Sequence, residues 1–205
     1  FKSGYEELII ISISKELSGT YQNAVLAAKM LEDKKIHVYD SKALTYIEAY
    51  MAMQAKIMAD RGETAETILK ELDKIRDNNH VYVAVDTLKY LVKNGRLSGV
   101  QGAIGSLLKL KPLLHLSKNG KIETLDKIRT SVKAREELKR RFLEEIRGKE
   151  IIPFIVYTNN MLEMFDLKDE LENLGLNDIL LIPLTPVVGC HAGPGTMGVG
   201  YIEKV

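Results

Sequence analysis

The sequence contains little cysteine and no tryptophan, and the scarcity of cysteine excludes several kinds of site. Among 205 residues there is one cysteine, Cys190. A single cysteine excludes an intramolecular disulfide and suits a reducing compartment, so we expect a cytoplasmic protein. The four histidines lie far apart and form no metal-ligand pattern with Cys190, so we expect no metal site.

Excess charge and long apolar runs are also missing. The formal net charge is +1, which argues against the extended basic surface of a nucleic-acid-binding protein. No apolar run reaches the length of a membrane span, so we expect at most transient membrane contact. Hydrophobic residues make up 45% and charged residues 28% of the chain, as in ordinary globular proteins.

In the first part of the chain, apolar runs typical of strands alternate with segments of helical periodicity. The run Leu8–Ile13 is continuous and rich in β-branched residues, which indicates a buried parallel strand. This order predicts an α/β domain with a mainly parallel sheet over residues 1–78. The elements that follow are a helix opened by Ser18-Gly19-Thr20, a strand at Ile36–Tyr39, a helix over 43–60, and a helix marked by Ile68, Leu72 and Ile75.

The polar stretch Asp77-Asn78-Asn79 is the best candidate for a domain boundary. The rest, residues 79–205, also reads as α/β. Segments 113–116 and 122–125 flank Lys118-Asn119-Gly120 and predict a β-hairpin. The other predicted elements are strands at 81–85, 151–157 and 179–184, and helices at 88–92, 100–110, 131–147 and 161–174.

Small polar residues follow both strands of the first domain and point to an anion site. Ligands of open α/β sheets bind at the carboxyl ends of strands. Ser18-Gly19-Thr20 and Asp40-Ser41 lie at two such ends, and backbone N–H groups at a helix start favour a carboxylate or phosphate. The simpler interpretation is that Ser18 and Ser41 only cap the helices that follow.

The segment Gly189–Gly200 holds His191 among closely spaced glycines and one proline. Such a segment fixes an imidazole in place, or it is simply a glycine-rich turn. In an extended chain, Cys190 and His191 would point to opposite faces, which argues against a nucleophilic dyad. Arg129 is either a solvated surface residue or a buried guanidinium that orients His191 or offsets the charge of a ligand.

Several blocks of the sequence resemble, in order along the chain, the DegV family of bacterial fatty-acid-binding proteins. The blocks are Ser14–Gln22, Asp40-Ser41-Lys42, Leu88–Ser98, Leu107–Leu114, Gly120-Lys121-Ile122 with Lys127-Ile128-Arg129, and His191–Gly195. The resemblance implies two α/β domains that bind a long acyl chain between them. It also implies that the first domain here lacks its N-terminal part, since family members start with a further segment.

The resemblance also implies a function and a set of site residues. The protein would be a non-catalytic carrier, with a bound long-chain fatty acid and no other cofactor, that presents the carboxylate to a separate fatty acid kinase subunit. Ser41, His191, Ser18, Gly19, Thr20 and Arg129 would surround the carboxylate, and Gly102, Leu107, Leu108 and Leu113 would line the acyl pocket.

Two alternatives remain from the residues themselves. One is a small-molecule phosphotransferase or hydrolase that acts at the C-terminal ends of the strands. The other is an interaction module that docks a partner through the charged helix 131–147.

Overall fold

The computed structural model describes residues 4–97 and 111–204. The predicted helix 100–110 lies outside these residues, as do Gly102, Leu107 and Leu108. The chain divides into two compact units by its internal packing. The first unit extends to Asn78 and also includes Lys118–Lys121, and the second comprises Asn79–Ser117 and Ile122–Lys204.

In the described residues of the first unit, two parallel strands pack with three helices. The strands pair from Glu7↔Lys35 to Ser12↔Asp40, so both end at the same edge. This confirms the predicted parallel pairing. The elements are β1 (Glu7–Ser12), α1 (Thr20–Lys29), β2 (Lys35–Asp40), α2 (Thr45–Asp60) and α3 (Ala65–Asp77).

Helix α3 shows why these segments are helical. Thr64 caps it by accepting a hydrogen bond from the Thr67 N–H, which satisfies one of the free donors at the helix start. Ile68, Leu72 and Ile75 recur at helical spacing and are buried. Helix α2 packs against α3 and buries Ile47, Met51 and Ala55. It begins at Thr45, two residues later than predicted.

The second unit contains, in its described residues, a mixed six-stranded sheet of order β5-β4-β3-β8-β6-β7. Strands β6 and β7 are parallel, and the other neighbours are antiparallel. The predicted hairpin is present as β4 and β5. The elements are β3 (Asn79–Ala84), α4 (Lys89–Lys93), β4 (Lys111–Leu116), β5 (Ile122–Ile128), α5 (Ser131–Glu145), β6 (Ile151–Tyr157), α6 (Met161–Asn173), β7 (Leu180–Pro183), α7 (Pro186–Ala192) and β8 (Met197–Glu203).

The core of this unit lies between the sheet and helices α5 and α6. Leu138 and Phe142 of α5 and Leu167 of α6 are fully buried there against the central strands. The same cluster contains Leu113 of β4, which has no exposed surface. Of the described helices, none is both long and apolar enough to cross a membrane.

The glycine-rich segment near the C-terminus is not a turn throughout, so the simpler of its two interpretations does not hold. Residues Pro186–Ala192 form α7, with proline at its start, and Met197–Glu203 form β8 in the middle of the sheet. Cys190 and His191 are therefore helical neighbours, so the argument from extended backbone does not apply. Glycines suggest a turn, but Gly198 and Gly200 are strand positions where neighbouring atoms fill the space of a side chain.

Gly200 gives a direct test of this packing. A Cβ there would lie 2.4 Å from Phe154 Cζ and 2.7 Å from the His80 carbonyl oxygen. We expect Gly200→Ala to lower the free energy of unfolding by about 1–3 kcal/mol, since overpacking a filled core costs this much. Chemical denaturation measures the change.

The matched control is Gly189→Ala in α7, where an added Cβ meets no atom within 4 Å. This variant should be unchanged or slightly more stable, because alanine favours helix more than glycine does. Equal stability of the two variants would contradict the close packing around β8.

Candidate functional site

The predicted site segments of the first unit meet at the edge where β1 and β2 end. Ser41 follows β2, is fully buried, and its N–H donates to the Ser12 carbonyl at 3.2 Å. The Ser41 hydroxyl accepts from the Ala43 N–H at 3.0 Å and donates to the Ala43 carbonyl at 3.3 Å. Ser41 is therefore a buried hydroxyl in the loop before α2 rather than the cap of that helix, whose N-cap is Leu44.

Ser14 connects this loop to the segment that precedes α1. Its N–H donates to the Ala43 carbonyl at 2.8 Å, and its own carbonyl accepts from Leu17 and Ser18. Its buried hydroxyl donates to the Gly120 carbonyl at 2.7 Å. We call Ser12, Ser14, Ser41, Ala43 and Gly120 the strand-end cluster.

Ser18-Gly19-Thr20 lies beside this cluster along the chain. Gly19, not Ser18, is the N-cap residue of α1, so the capping interpretation of Ser18 was wrong by one position. The Ser18 hydroxyl instead accepts from the Thr20 N–H at 3.3 Å and lies 2.8 Å from the Thr20 hydroxyl. Gly19 and Thr20 are exposed.

Asp40 connects the loop that follows β1 with the loop that follows β2. One of its carboxylate oxygens accepts from the backbone N–H groups of Lys15 and Lys42, at 3.2 and 3.1 Å. The other lies 3.7 Å from the Lys15 ammonium. These contacts give Asp40 a structural role at the edge of the sheet.

The loop that carries Ser41 is strained. Lys42 has φ 49° and Thr45 has φ 55°, values that side-chain-bearing residues rarely adopt, β-branched ones least of all. Such strain persists only where the surroundings over-determine it, and it is concentrated at functional sites.

Glu48 places a carboxyl group close to the end of β1. It lies in the first turn of α2 and accepts a hydrogen bond from the Ile13 N–H. Burial raises the pKa of Glu48 to about 7, and the Ile13 N–H opposes this rise by stabilising the charged form.

His191 belongs to the second unit and is held by local contacts. It lies in the last turn of α7, and the Thr196 hydroxyl oxygen lies within hydrogen-bond distance of the carbonyl oxygens of Ala192 and Gly193, at 3.1 and 2.9 Å. The Gly195 N–H donates to Asn159 at 2.7 Å. A Cβ at Gly193 would lie 2.4 Å from the Tyr90 ring. These contacts fix the backbone on the C-terminal side of the imidazole.

The imidazole itself is half-buried. Its Nδ1 is buried and has no hydrogen-bond partner within the described residues. A buried, unsatisfied ring nitrogen costs free energy unless a partner or ligand supplies a hydrogen bond.

The remaining predicted residues are placed differently. Arg129 is exposed in the bend that follows β5. Of its two interpretations, the structure therefore agrees with a solvated surface residue and not with a buried guanidinium. Leu113 packs in the core under α5, so its role in an acyl pocket stays a prediction.

Comparisons with known proteins bear on this arrangement. A family model described as "Uncharacterised protein, DegV family" matches residues 1–204. A DegV domain-containing protein of Staphylococcus aureus (strain COL) is 32% identical over 204 residues, which are 98% of this chain and 70% of the relative. The chain belongs to the DegV family.

Solved DegV structures share the fold. A fatty-acid-binding DegV family protein from Streptococcus agalactiae superposes with a TM-score of 0.91 at 26% identity, over 100% of this chain and 72% of that one. A DegV family protein from Thermus thermophilus, whose structure is described as fatty acid binding, gives 0.87 at 31% identity, over 99% and 73%. These matches confirm the predicted α/β fold of the DegV type.

Three residues that the fold brings to the strand ends are not among the site residues predicted from the sequence. Ser14 and Gly120 are 106 positions apart and contact each other only in the folded chain. Glu48 lies on a helix with ordinary amphipathic spacing, so only its burial distinguishes it. Ser14 and Gly120 each begin a block that carries the family resemblance, and that was the signal available from the sequence.

The Glu48 carboxyl gives a pH-dependent prediction. Because its pKa in the folded protein lies above its ordinary value, the contribution of Glu48 to stability is complete below about pH 4.5 and is lost as the pH rises through about 7. The glutamine of Glu48→Gln cannot ionise, so this variant avoids the loss of stability that wild type suffers at high pH. The difference in stability between variant and wild type should therefore move in favour of the variant from pH 5 to pH 8. Thermal unfolding at both pH values measures this.

Glu32→Gln, at an exposed glutamate of the same unit, is the control. Carbon-13 NMR of the Glu48 carboxyl gives its midpoint directly. A midpoint near 4.5, or equal pH dependence in both variants, would refute the burial argument.

Proposed function

We propose that this protein is a non-catalytic carrier that binds one long-chain fatty acid, with the carboxylate at Ser41. The observation that carries the proposal is the fully buried Ser41 hydroxyl at the carboxyl end of a parallel pair of strands. Support comes from DegV relatives of known structure that bind fatty acids and align with the whole described chain.

The chemistry of a fatty acid suits such a carrier. Each buried methylene contributes about 0.8 kcal/mol, so the acyl chain supplies most of the affinity. The head group then mainly selects and orients, and a hydroxyl hydrogen bond to a carboxylate does so with about 1.5–3 kcal/mol. In this proposal His191 joins the polar network through its unsatisfied Nδ1. The family resemblance supports Ser18, Gly19, Thr20 and Arg129 as further neighbours of the carboxylate.

The hydroxyl groups of the strand-end cluster favour binding over nucleophilic catalysis. Ser12, Ser14 and Ser41 donate to the backbone carbonyls of Tyr39, Gly120 and Ala43. An activated serine would instead hydrogen-bond to a general base. This observation argues against the phosphotransferase or hydrolase alternative.

The charged helix α5 gives little support to the interaction module. Arg140 pairs with Glu137 and Glu144, and Lys139 pairs with Glu136 and Glu170. These charges neutralise one another on the helix surface, so they present no strong field to a partner.

The proposal also includes a partner protein and a division of the chain into two domains. A separate kinase subunit would phosphorylate the bound carboxylate in the cytoplasm, as the family resemblance implies. Residues 1–78 and 79–205 would be the two domains, and Gly102, Leu107, Leu108 and Leu113 the acyl contacts. No metal or further cofactor enters this scheme.

Two variants test the head-group assignment. Ser41→Ala and His191→Ala should each weaken binding of a long-chain fatty acid about tenfold or more, because each removes a hydrogen bond to the charged carboxylate. Calorimetric titration with palmitate measures the affinities, and thermal unfolding verifies that both variants fold.

Ser131→Ala on the exposed start of α5 and His37→Ala on β2 are the controls, and both should bind as wild type does. Unchanged affinity in both Ser41→Ala and His191→Ala would remove the assigned site. Failure of the wild-type protein to bind any fatty acid would remove the proposed function.

A further inference from the structure

The turn Lys118–Lys121 belongs to the first unit although it is far along the chain from the other residues of that unit. The Gly120 carbonyl accepts the buried Ser14 hydroxyl at 2.7 Å. The Lys121 ammonium lies 3.5 Å from the Glu16 carboxylate. The turn is thus attached to the loop that follows β1.

Gly120 lies where no side chain fits. Its φ is +79°, and a Cβ there would lie 2.3 Å from the Ser14 hydroxyl oxygen and 3.1 Å from the Lys42 Cα. Lys42 directly follows Ser41 and is itself held at a positive φ of 49°. Gly120 therefore touches both segments on which the position of Ser41 depends.

The Ala43 carbonyl links these contacts to the Ser41 hydroxyl. It accepts two hydrogen bonds, one from the Ser14 N–H at 2.8 Å and one from the Ser41 hydroxyl at 3.3 Å. A hydroxyl has a single proton to donate, so Ser41 must release Ala43 in order to donate to a ligand. The Ser14 N–H still satisfies the Ala43 carbonyl when this happens, which keeps the cost of release small.

We propose that Gly120 is a positioning residue for the carboxylate site. Because Gly120 has no side chain, Ser14 can stay where its N–H donates to the Ala43 carbonyl, and the Ser41 hydroxyl is then able to donate to the ligand instead. This proposal rests on the proposed function, because the ligand is the fatty-acid carboxylate. It assigns the Lys118–Lys121 turn a part in head-group recognition.

Gly120→Ala tests the proposal against a matched control. Gly62→Ala places the same side chain at a similar φ of +80° in the same unit, where no atom lies within 4 Å. Both variants carry the strain of a left-handed alanine, but only Gly120→Ala meets Ser14 and Lys42. We expect Gly120→Ala to lower the affinity for palmitate about tenfold relative to Gly62→Ala.

The loss should be specific for the carboxylate. Affinity for the methyl ester of palmitate, which carries no charged head group, should be the same in the two variants. Equal palmitate affinity of Gly120→Ala and Gly62→Ala, or an equal loss of ester and acid binding, would overturn the positioning role.

Ser14→Ala provides a second variant if Gly120→Ala does not fold. It removes the hydroxyl that contacts Gly120 without adding an atom, and it should weaken palmitate binding but not ester binding. In the double variant, the Gly120→Ala penalty should shrink, because the atom nearest to the new Cβ is gone. Unchanged palmitate binding in Ser14→Ala, or a fully additive double variant, would contradict the proposal.

A failure of the proposed function is distinguishable from a failure of this inference. If the proposed function is wrong, the wild-type protein does not bind palmitate. In that case the amide resonance of Ser41 still reports on positioning, and it should shift in Gly120→Ala but not in Gly62→Ala. An unshifted resonance would overturn the inference by itself.

Discussion

The parallel pairing of β1 with β2 is the constraint on which the candidate site depends. Because Ser12 aligns with Asp40, both strands end at one edge, and the loops that follow must share the same space. Asp40 then accepts N–H groups from both loops, and Ser14 donates to the loop of Ser41. A slip of the register by one residue would reverse the faces of these side chains and disperse the cluster.

The second unit depends on a different constraint, the close packing around the central strand β8. Gly198 and Gly200 bring the backbone of β8 close to side chains of β6 and to the backbone of β3. The same chain segment begins, just upstream, with the helix that carries His191. A segment that reads as a loop in the sequence thus forms both the centre of a sheet and the support of an imidazole.

Local periodicity was sufficient to predict most elements. The run Leu8–Ile13, the stripe Ile68, Leu72 and Ile75, and the turn at Lys118–Gly120 each carry a signal within a few residues. Strand β8 was missed because its glycines lack the β-branched pattern, and their purpose is visible only from Phe154 and Tyr82 on neighbouring strands.

The part of the site that local sequence patterns mark could be predicted as well. Ser41 and the segment Ser18-Gly19-Thr20 follow strands and could be named from the sequence. The contact between Ser14 and Gly120 joins residues 106 positions apart, and the raised pKa of Glu48 arises from burial. Neither a contact between distant residues nor the desolvation of a side chain can be predicted from the local sequence.

The measurement that tests the central claim most directly is the identification of lipid bound to the purified protein. The protein is extracted with organic solvent, and the extract is examined by mass spectrometry against a known amount of an internal standard. We expect a long-chain fatty acid in stoichiometric amount. A protein that carries no fatty acid, and that takes up none when palmitate is supplied, would contradict the account.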